Sequence, residues 1–440
     1  MAKKKTTGKQ TLKALDAAAR KKDLTEVEKF THMLASVMET RKNRITDFKT
    51  ADQLRNELIH VPDFMFQYAI NAVGLPKRRH IEIIGGEGLG KTTLAFMIMG
   101  WCMKYCGSYG GIYIETENKP MPASRIRRAL STNPVEADEM CGKIITCSAH
   151  SLSEMEEKLD TVATTLRGER GVGKERVMLP IDVPLPVVVD SWSKLMSKKE
   201  EIGFFGYADN LSAENKKDRK SVGEGSNLGH ASFAHGHARR LPYLLKKYNI
   251  LLLYIHHQNA KISMTKGGSS FLPEDTAALY NKTHLGGKAN DQNAALQLVV
   301  APMGQVKTAD GVVESTRNKL RVAKNSYGPV GRVIEYTVRM DNFLDTEEWL
   351  EPAITTADGM ARMFADKRLL ETTADGRLYT CRPLNLHGVT ARELHDTVHG
   401  NPDVMTRLGA QMGFDGCDDI VAKIKKEMSE QAQQEEADES

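Results

Sequence analysis

Short apolar runs recur through the middle of the chain: IEII (81–84), GIYI (111–114), KIIT (143–146), PVVV (186–189) and ILLLYI (250–255). Each has the length of a strand, and longer stretches with helical spacing separate several of them. The pattern from about 75 to 340 therefore predicts an α/β arrangement, a mostly parallel sheet covered by helices. ALQLVV (295–300) and GRVIEYTV (331–338) predict later strands. Residues 1–60 are polar and charged, with Val27, Phe30, Leu34 and Val37 at helical spacing, which predicts a helical arm suited to oligomerisation. The large domain spans 61–344. Two stretches inside it, 197–229 and 259–287, carry no apolar periodicity, and each begins just after a strand. Loops of that length inside a domain are usually functional or disordered. Residues 345–426 read as a small separate lobe. The last segment, 427–440 (EMSEQAQQEEADES), is an acidic tail without Lys or Arg, of a composition that stays disordered.

Composition narrows the function classes only slightly. A formal charge of +4 over 440 residues does not demand a nucleic-acid partner, so any such partner must be held by local basic clusters. The longest apolar run, Leu94 to Met103, is about half of what spans a bilayer. The basic start MAKKKTTGKQ has no apolar segment behind it and is not a secretory signal. No membrane partner is expected, and the setting is cytoplasmic. The six cysteines lack a matching Cys/His pair at ligand spacing and read as small apolar residues in a reducing compartment; Cys102 and Cys106 share a helix face.

The clearest chemistry lies in Gly85-Gly86-Glu87-Gly88-Leu89-Gly90-Lys91-Thr92-Thr93, which satisfies G-x-x-x-x-G-K-[ST] between a strand and an apolar helix. Glycines let the backbone curl so that its N–H groups converge on phosphate oxygens, and the helix that follows adds its positive end. Lys91 should reach the β- and γ-phosphates, and the Thr92 hydroxyl should ligate Mg²⁺. A second metal-holding acid is expected at the end of a buried strand, where LPVVVD supplies Asp190. Hydrolysis needs a group to orient water. GIYIETE offers Glu115 and Glu117, which point to the same face of an extended chain.

These pieces, in this order, resemble the RecA/UvsX family of DNA recombinases over roughly residues 60–340, closest in character to its phage-type, UvsX-like members. The resemblance begins at VGLPKRRHIEIIGGEGLGKTT, where a Gly-Leu-Pro turn and an Arg precede the P-loop strand. It continues through YIETEN, VVVDSWSKL, LGHASFAHGHARRLPYLLKKYNILLLYIHH, THLGGKANDQNAALQLVV and LRVAKNSYGPVGRVIEY. It implies a RecA-like P-loop ATPase core, with ATP and Mg²⁺ as cofactors. Glu117 becomes the catalytic glutamate in preference to Glu115. His257 becomes the sensor of the γ-phosphate, with His256 and Gln258 as its neighbours one residue away. The two aperiodic stretches become DNA loops. The first holds Lys198, Lys199, Lys216, Lys217, Arg219 and Lys220; the second holds Lys261, Lys266, Lys282, Gly286 and Gly287, with Lys288 at its base. Arg239 matches a position that contacts the DNA backbone. Lys324 matches a cation that reaches the neighbouring subunit's nucleotide, whereas the second cation of that hairpin is Ser326 here. MPASRIRR lacks the ring that the family often stacks on adenine, leaving Arg125 as the stacking candidate. His235 and His237 have no apparent third ligand and are expected on a helix surface.

The resemblance implies an ATP-dependent homologous recombinase that forms a helical filament on single-stranded DNA and samples duplex DNA. Single-strand-binding and loader proteins are further partners in such a system, in a bacterial nucleoid or a phage-infected cell. Two rivals use the same core: a ring helicase, and a nucleotide-switched assembly protein that does not process DNA.

Overall fold

The computed structural model describes residues 58–72, 74–117, 122–166, 182–195, 236–257, 293–326, 328–340, 345–373, 377–381, 384–401, 404, 405 and 408. Most of the expected arm, the acidic tail and both aperiodic stretches lie outside the described residues. The described residues belong to one unit, Leu58–Ser440.

Strand β1 (Leu58–His60) opens the unit and pairs antiparallel with β2 (Gly74–Pro76) around helix α1 (Phe64–Ile70). Both strands correct the sequence reading, which expected helix at 58–60 and a turn at Gly-Leu-Pro. Ile59 is fully buried between two half-exposed neighbours, the alternation of a strand rather than a helix. Gly74 permits the pairing, because a Cβ there would lie 2.3 Å from the Ile59 carbonyl oxygen.

The central unit is β3 (His80–Gly85), the phosphate-loop sequence, α2 (Lys91–Cys106) and β4 (Gly111–Glu115). Helix α2 is apolar nearly all round and is correspondingly buried from Leu94 to Met103, except for the half-buried Met97. It stops at Gly107, whose φ of 64° suits a left-handed C-terminal cap, with Lys104 in the last turn opposite the helix dipole. Helices α3 (Ala123–Leu130) and α4 (Pro134–Gly142) follow, then β5 (Ile144–Ser148), α5 (Leu152–Leu166) and β6 (Leu185–Asp190). Residues 236–248 form the described part of α6, which leads into β7 (Ile250–His257). The hairpin of β8 (Leu296–Lys307) and β9 (Val313–Asn325) precedes β10 (Val333–Arg339).

Among the described residues the main sheet has nine strands in the order β11-β10-β9-β8-β3-β7-β6-β4-β5, where β11 is Ile354–Thr355. The strands from β8 to β5 are parallel, and β9, β10 and β11 are antiparallel additions. Parallel strands are buried on both faces, which is why β6 and β7 read as continuous apolar runs. Their alternate residues enter two separate cores. Val188, Leu251, Leu253 and Ile255 pack with α1 and α2. Val187, Val189, Leu252 and Tyr254 pack with Trp192, Leu241 and Leu245.

His237 is a further correction. It is buried, with Nε2 2.9 Å from the Tyr254 hydroxyl and its ring 5.2 Å from that of Trp192. Ala238, Leu241, Leu245 and Tyr248 continue the same buried stripe of α6. Its neighbour His235 lies outside the described residues. The five described cysteines are free thiols.

The C-terminal part contains α7 (Ala357–Asp366), a three-stranded sheet of β12 (Glu371–Thr372), β13 (Tyr379–Cys381) and β14 (Leu386–Val389), and α8 (Ala391–Gly400). Thr390 and Glu393 form a reciprocal cap at the start of α8. No described helix is long and apolar enough to cross a membrane.

Candidate nucleotide site

The loop between β3 and α2 is shaped by where a Cβ cannot go. Gly88 and Gly90 both have φ of 74°, a left-handed conformation costly for other residues. A Cβ on Gly85 would lie 2.7 Å from the Val300 carbonyl oxygen, and one on Gly90 would lie 2.6 Å from Val338 Cγ2. The Leu89 carbonyl accepts from Asn318 Nδ2 at 3.4 Å and from the Tyr336 hydroxyl at 3.3 Å, so β9 and β10 brace the loop from behind. Lys91 is buried, and its ammonium donates to the Gly86 carbonyl across the loop.

Strand register brings the acids to this loop. Gly85 pairs with His257, Asp190 with Ile255 and Glu115 with Asp190, so the carboxyl ends of β3, β7, β6 and β4 finish side by side. Ligands of open α/β sheets bind at such ends. Asp190 Oδ2 accepts from the Thr92 hydroxyl at 2.6 Å and from the Tyr113 hydroxyl at 3.2 Å. Burial pushes the Asp190 carboxyl up, and the charge of Glu117 adds to this. Burial and Asp190 together push the Tyr113 phenol far up, so it stays a donor. A hydroxyl and a carboxylate held together in this way form an oxygen-donor pair of the kind that suits a hard divalent cation such as Mg²⁺.

The other two acids differ in their surroundings. Glu115 Oε1 accepts the Glu117 backbone N–H at 2.8 Å. Glu117 Oε1 accepts from Ser191 Oγ at 2.7 Å and lies 2.8 Å from His257 Nε2. Burial, followed by the charge of Lys91, pulls the His257 imidazole below its usual range and favours its neutral form. The neutral ring can therefore donate from Nε2 to Glu117. Thr116 ties the two strand ends together: its hydroxyl donates to the Ser191 carbonyl at 2.9 Å and accepts the Ser191 N–H at 2.7 Å. Tyr113, Thr116 and Ser191 were not singled out from sequence. Tyr113 could have been, because it lies two residues before Glu115 and so shares its face of the strand.

Tyr113, Glu115, Glu117, Asp190 and His257 line a cavity of about 350 Å³ that also takes in Glu87 to Thr93. Its far end is formed by Pro122, Arg125 and Met340, with Arg125 Nη2 3.0 Å from Met340 Sδ. His256 is not part of this lining; it faces the opposite side of the sheet, as the alternation of β7 requires. Gln258 lies outside the described residues. Lys324, half-buried on β9 opposite Gln297, is not among the lining residues either. Of the residues expected on DNA, only Arg239 is described, exposed on α6. Lys198, Lys199, Lys216, Lys217, Arg219, Lys220, Lys261, Lys266, Lys282, Gly286, Gly287 and Lys288 lie outside the described residues.

No protein-family model matches the chain. Curated relatives do, at low identity. The chain is 26% identical over 286 residues to Protein RecA of Azospirillum lipoferum, covering 65% of this chain and 64% of that protein. It is 24% identical over 364 residues to Protein RecA of Xanthomonas euvesicatoria pv. vesicatoria, covering 81% and 84% of the two. Protein RecA of Laribacter hongkongensis is 24% identical over 326 residues, covering 74% of this chain and 73% of its own. The first match thus spans just under two thirds of the relative's length. These relatives, with the mixed sheet and its flanking helices, give the chain a RecA-like α/β core.

Proposed function

We propose that this relative of RecA proteins is an ATP-dependent homologous recombinase, active as a helical filament on single-stranded DNA. The observation that carries the reading is the convergence of Lys91, Thr92, Asp190, Glu117 and His257 on neighbouring strand ends. One of those strands, β7, leads after Gln258 into residues 259–287, the sequence resembling the family's second DNA loop.

The chemistry follows from the groups present. Thr92 and Asp190 would hold Mg²⁺, which neutralises phosphate charge when bound. Lys91 would exchange the Gly86 carbonyl for the β- and γ-phosphates. Glu117, held by Ser191 and His257, would orient and deprotonate the attacking water, while Glu115 is engaged by a backbone N–H and serves as its support. The same His257 would register the γ-phosphate and pass its presence into residues 258–292, a coupling between two sites through one segment. Lys and Arg of the two DNA loops, with Arg239, would neutralise phosphates. Each phosphate contact adds a salt slope of about −0.7 on single strands. One subunit would bind weakly, and a filament multiplies contacts on one strand. Lys324 would act on the nucleotide of the adjacent subunit. The helical arm, small lobe and acidic tail would serve assembly and modulate DNA access, in a cytoplasmic, phage-type setting.

The test is strand exchange with homologous and heterologous DNA, with and without ATP. Joint molecules that need both homology and ATP are expected. Unwinding of a forked duplex without homology would point to a ring helicase, and ATPase activity indifferent to DNA would point to a switch protein. Glu117→Gln should bind ATP normally yet lose hydrolysis by about 10²- to 10⁴-fold. Normal turnover in that variant would exclude Glu117 as the base.

A further inference from the structure

Behind the nucleotide pocket, on the other face of the sheet, lies a buried acid that the chemistry above does not use. Glu82 sits in the middle of β3 and is 1% exposed; His80, His256 and Gln297 around it are 2%, 1% and 6% exposed. Gln297 Nε2 donates to Glu82 Oε2 at 2.6 Å. Glu82 Oε1 lies 3.7 Å from His80 Nε2 and 3.7 Å from His256 Nε2. Burial pushes this carboxyl up, but His80, then His256 and Gln297, outweigh it and hold it at about 2. The group is thus an anion in a dry interior, where losing a partner is costly.

Its position in the topology gives it meaning. β3 lies between β7 and β8, and Glu82 pairs with Tyr254 on one side and Gln297 on the other. β7 leads into residues 258–292, and β8 begins shortly after them. His256 and His257 are adjacent on β7 and point to opposite faces. His257 meets Glu117 at 2.8 Å, and His256 meets Glu82 at 3.7 Å. A rigid shift of the end of β7 would therefore move both contacts together.

We propose that Glu82 is a positioning residue that couples the nucleotide pocket to residues 258–292. It clamps the strand entering that segment and the strand leaving it against the strand that carries the phosphate loop. The proposal rests on the recombinase reading, in which that segment contacts DNA. Glu82 touches neither nucleotide nor DNA, and its effect runs through His256 and Gln297.

The experiment uses the full chain carrying Glu82→Gln, which keeps side-chain volume and an oxygen for Gln297. Three quantities are read: affinity for a fluorescent ATP analogue, the ratio of DNA-stimulated to basal ATPase, and the ratio of single-strand affinities with and without ATP. ATP affinity should stay within about twofold of wild type while both ratios fall about fivefold or more, the scale of coupling between linked sites. His256→Asn, which shortens the side chain and leaves His257 in place, should lower the same two ratios. Combining the two substitutions should lower them no further than the stronger one alone. Wild-type ratios in Glu82→Gln would overturn the proposal. So would a loss of ATP affinity as large as the loss in the ratios, which is what a purely structural acid would give. A wild-type protein without any response to DNA would fail the recombinase reading itself, and would show this before any variant is made.

Discussion

Asp63 offers a stringent test of how the C-terminal part is held to the core. Its Oδ1 caps α1 by accepting the Phe66 N–H at 3.0 Å, and its Oδ2 accepts the Thr356 hydroxyl at 2.7 Å. His395 of α8 approaches the same oxygen at 3.7 Å. His399 is engaged differently: its Nε2 accepts the Phe64 N–H at 2.9 Å and its Nδ1 donates to the His395 carbonyl at 2.7 Å. Both ring nitrogens are thus engaged, and burial together with the His395 charge keeps the ring neutral. Asp63 and His395 therefore form a charged clasp. Burial pushes Asp63 up, but His395 and the Thr356 hydroxyl outweigh it and bring it from 3.8 to about 2. Burial pulls His395 down, but Asp396 and Asp63 raise it from 6.5 to about 9.

Asp63→Asn separates cap from charge, because Asn caps helices as well as Asp does. A carboxyl brought from 3.8 to about 2 corresponds to about 2 kcal/mol. The shift of His395 reports the same attraction from the other partner and is not added to it. The variant should lose about 2 kcal/mol near neutral pH, read as the midpoint of urea unfolding followed by tryptophan fluorescence. The sign fixes the pH window. A raised histidine stabilises fully below 6.5 and loses that contribution as pH rises through about 9. A lowered aspartate stabilises above 3.8 and loses its contribution as pH falls through about 2. The gap between wild type and variant should be widest from about pH 4 to 6.5 and close above about pH 10. An equal gap at about pH 6 and about pH 10 would refute an ionic clasp.

Other consequences concern the nucleotide site. Gly90→Ala combines left-handed strain of about 1 kcal/mol with a Cβ driven into Val338, and should weaken ATP binding at least about tenfold by calorimetry. Adding Val338→Ala should recover part of that loss, leaving the backbone strain. Tyr113→Phe removes a hydrogen bond to ionised Asp190, which raises the carboxyl further, so the acidic limb of the ATPase profile should move to higher pH. A limb left in place would show that the hydroxyl does not support Asp190.

How much of this was legible in the chain depends on the distance over which each feature is encoded. The phosphate loop is local: a strand, glycines that need left-handed backbone, a lysine and a hydroxyl, all within residues 80–93. Asp190 and the acid pair of GIYIETE were legible because a buried apolar run ends at each of them. The parallel sheet followed from the apolar runs, and their bounds in the structure differ by a few residues at most where a run was cleanly apolar.

What the sequence left open was decided by register. HHQ could not say which side chain faces the nucleotide, since a shift of one residue turns every side chain of a strand to the other face. Pairing of Gly85 with His257 sets His257 beside Glu117 and turns His256 toward Glu82. The different surroundings of Glu115 and Glu117 likewise depend on Ser191, which reaches Glu117 only because β6 lies beside β4. His237 read as a surface residue until Tyr254 and Trp192 were brought against it. Glu82 gave no sign of itself as more than a polar residue in a strand, because two of its three partners, His256 and Gln297, lie on other strands more than a hundred residues away in sequence. The sequence by itself determined the nucleotide chemistry, whose groups are contiguous or end their own strands. Only the tertiary structure decided how those groups are held and what lies behind them, because strand order and register arise from packing across the whole sheet.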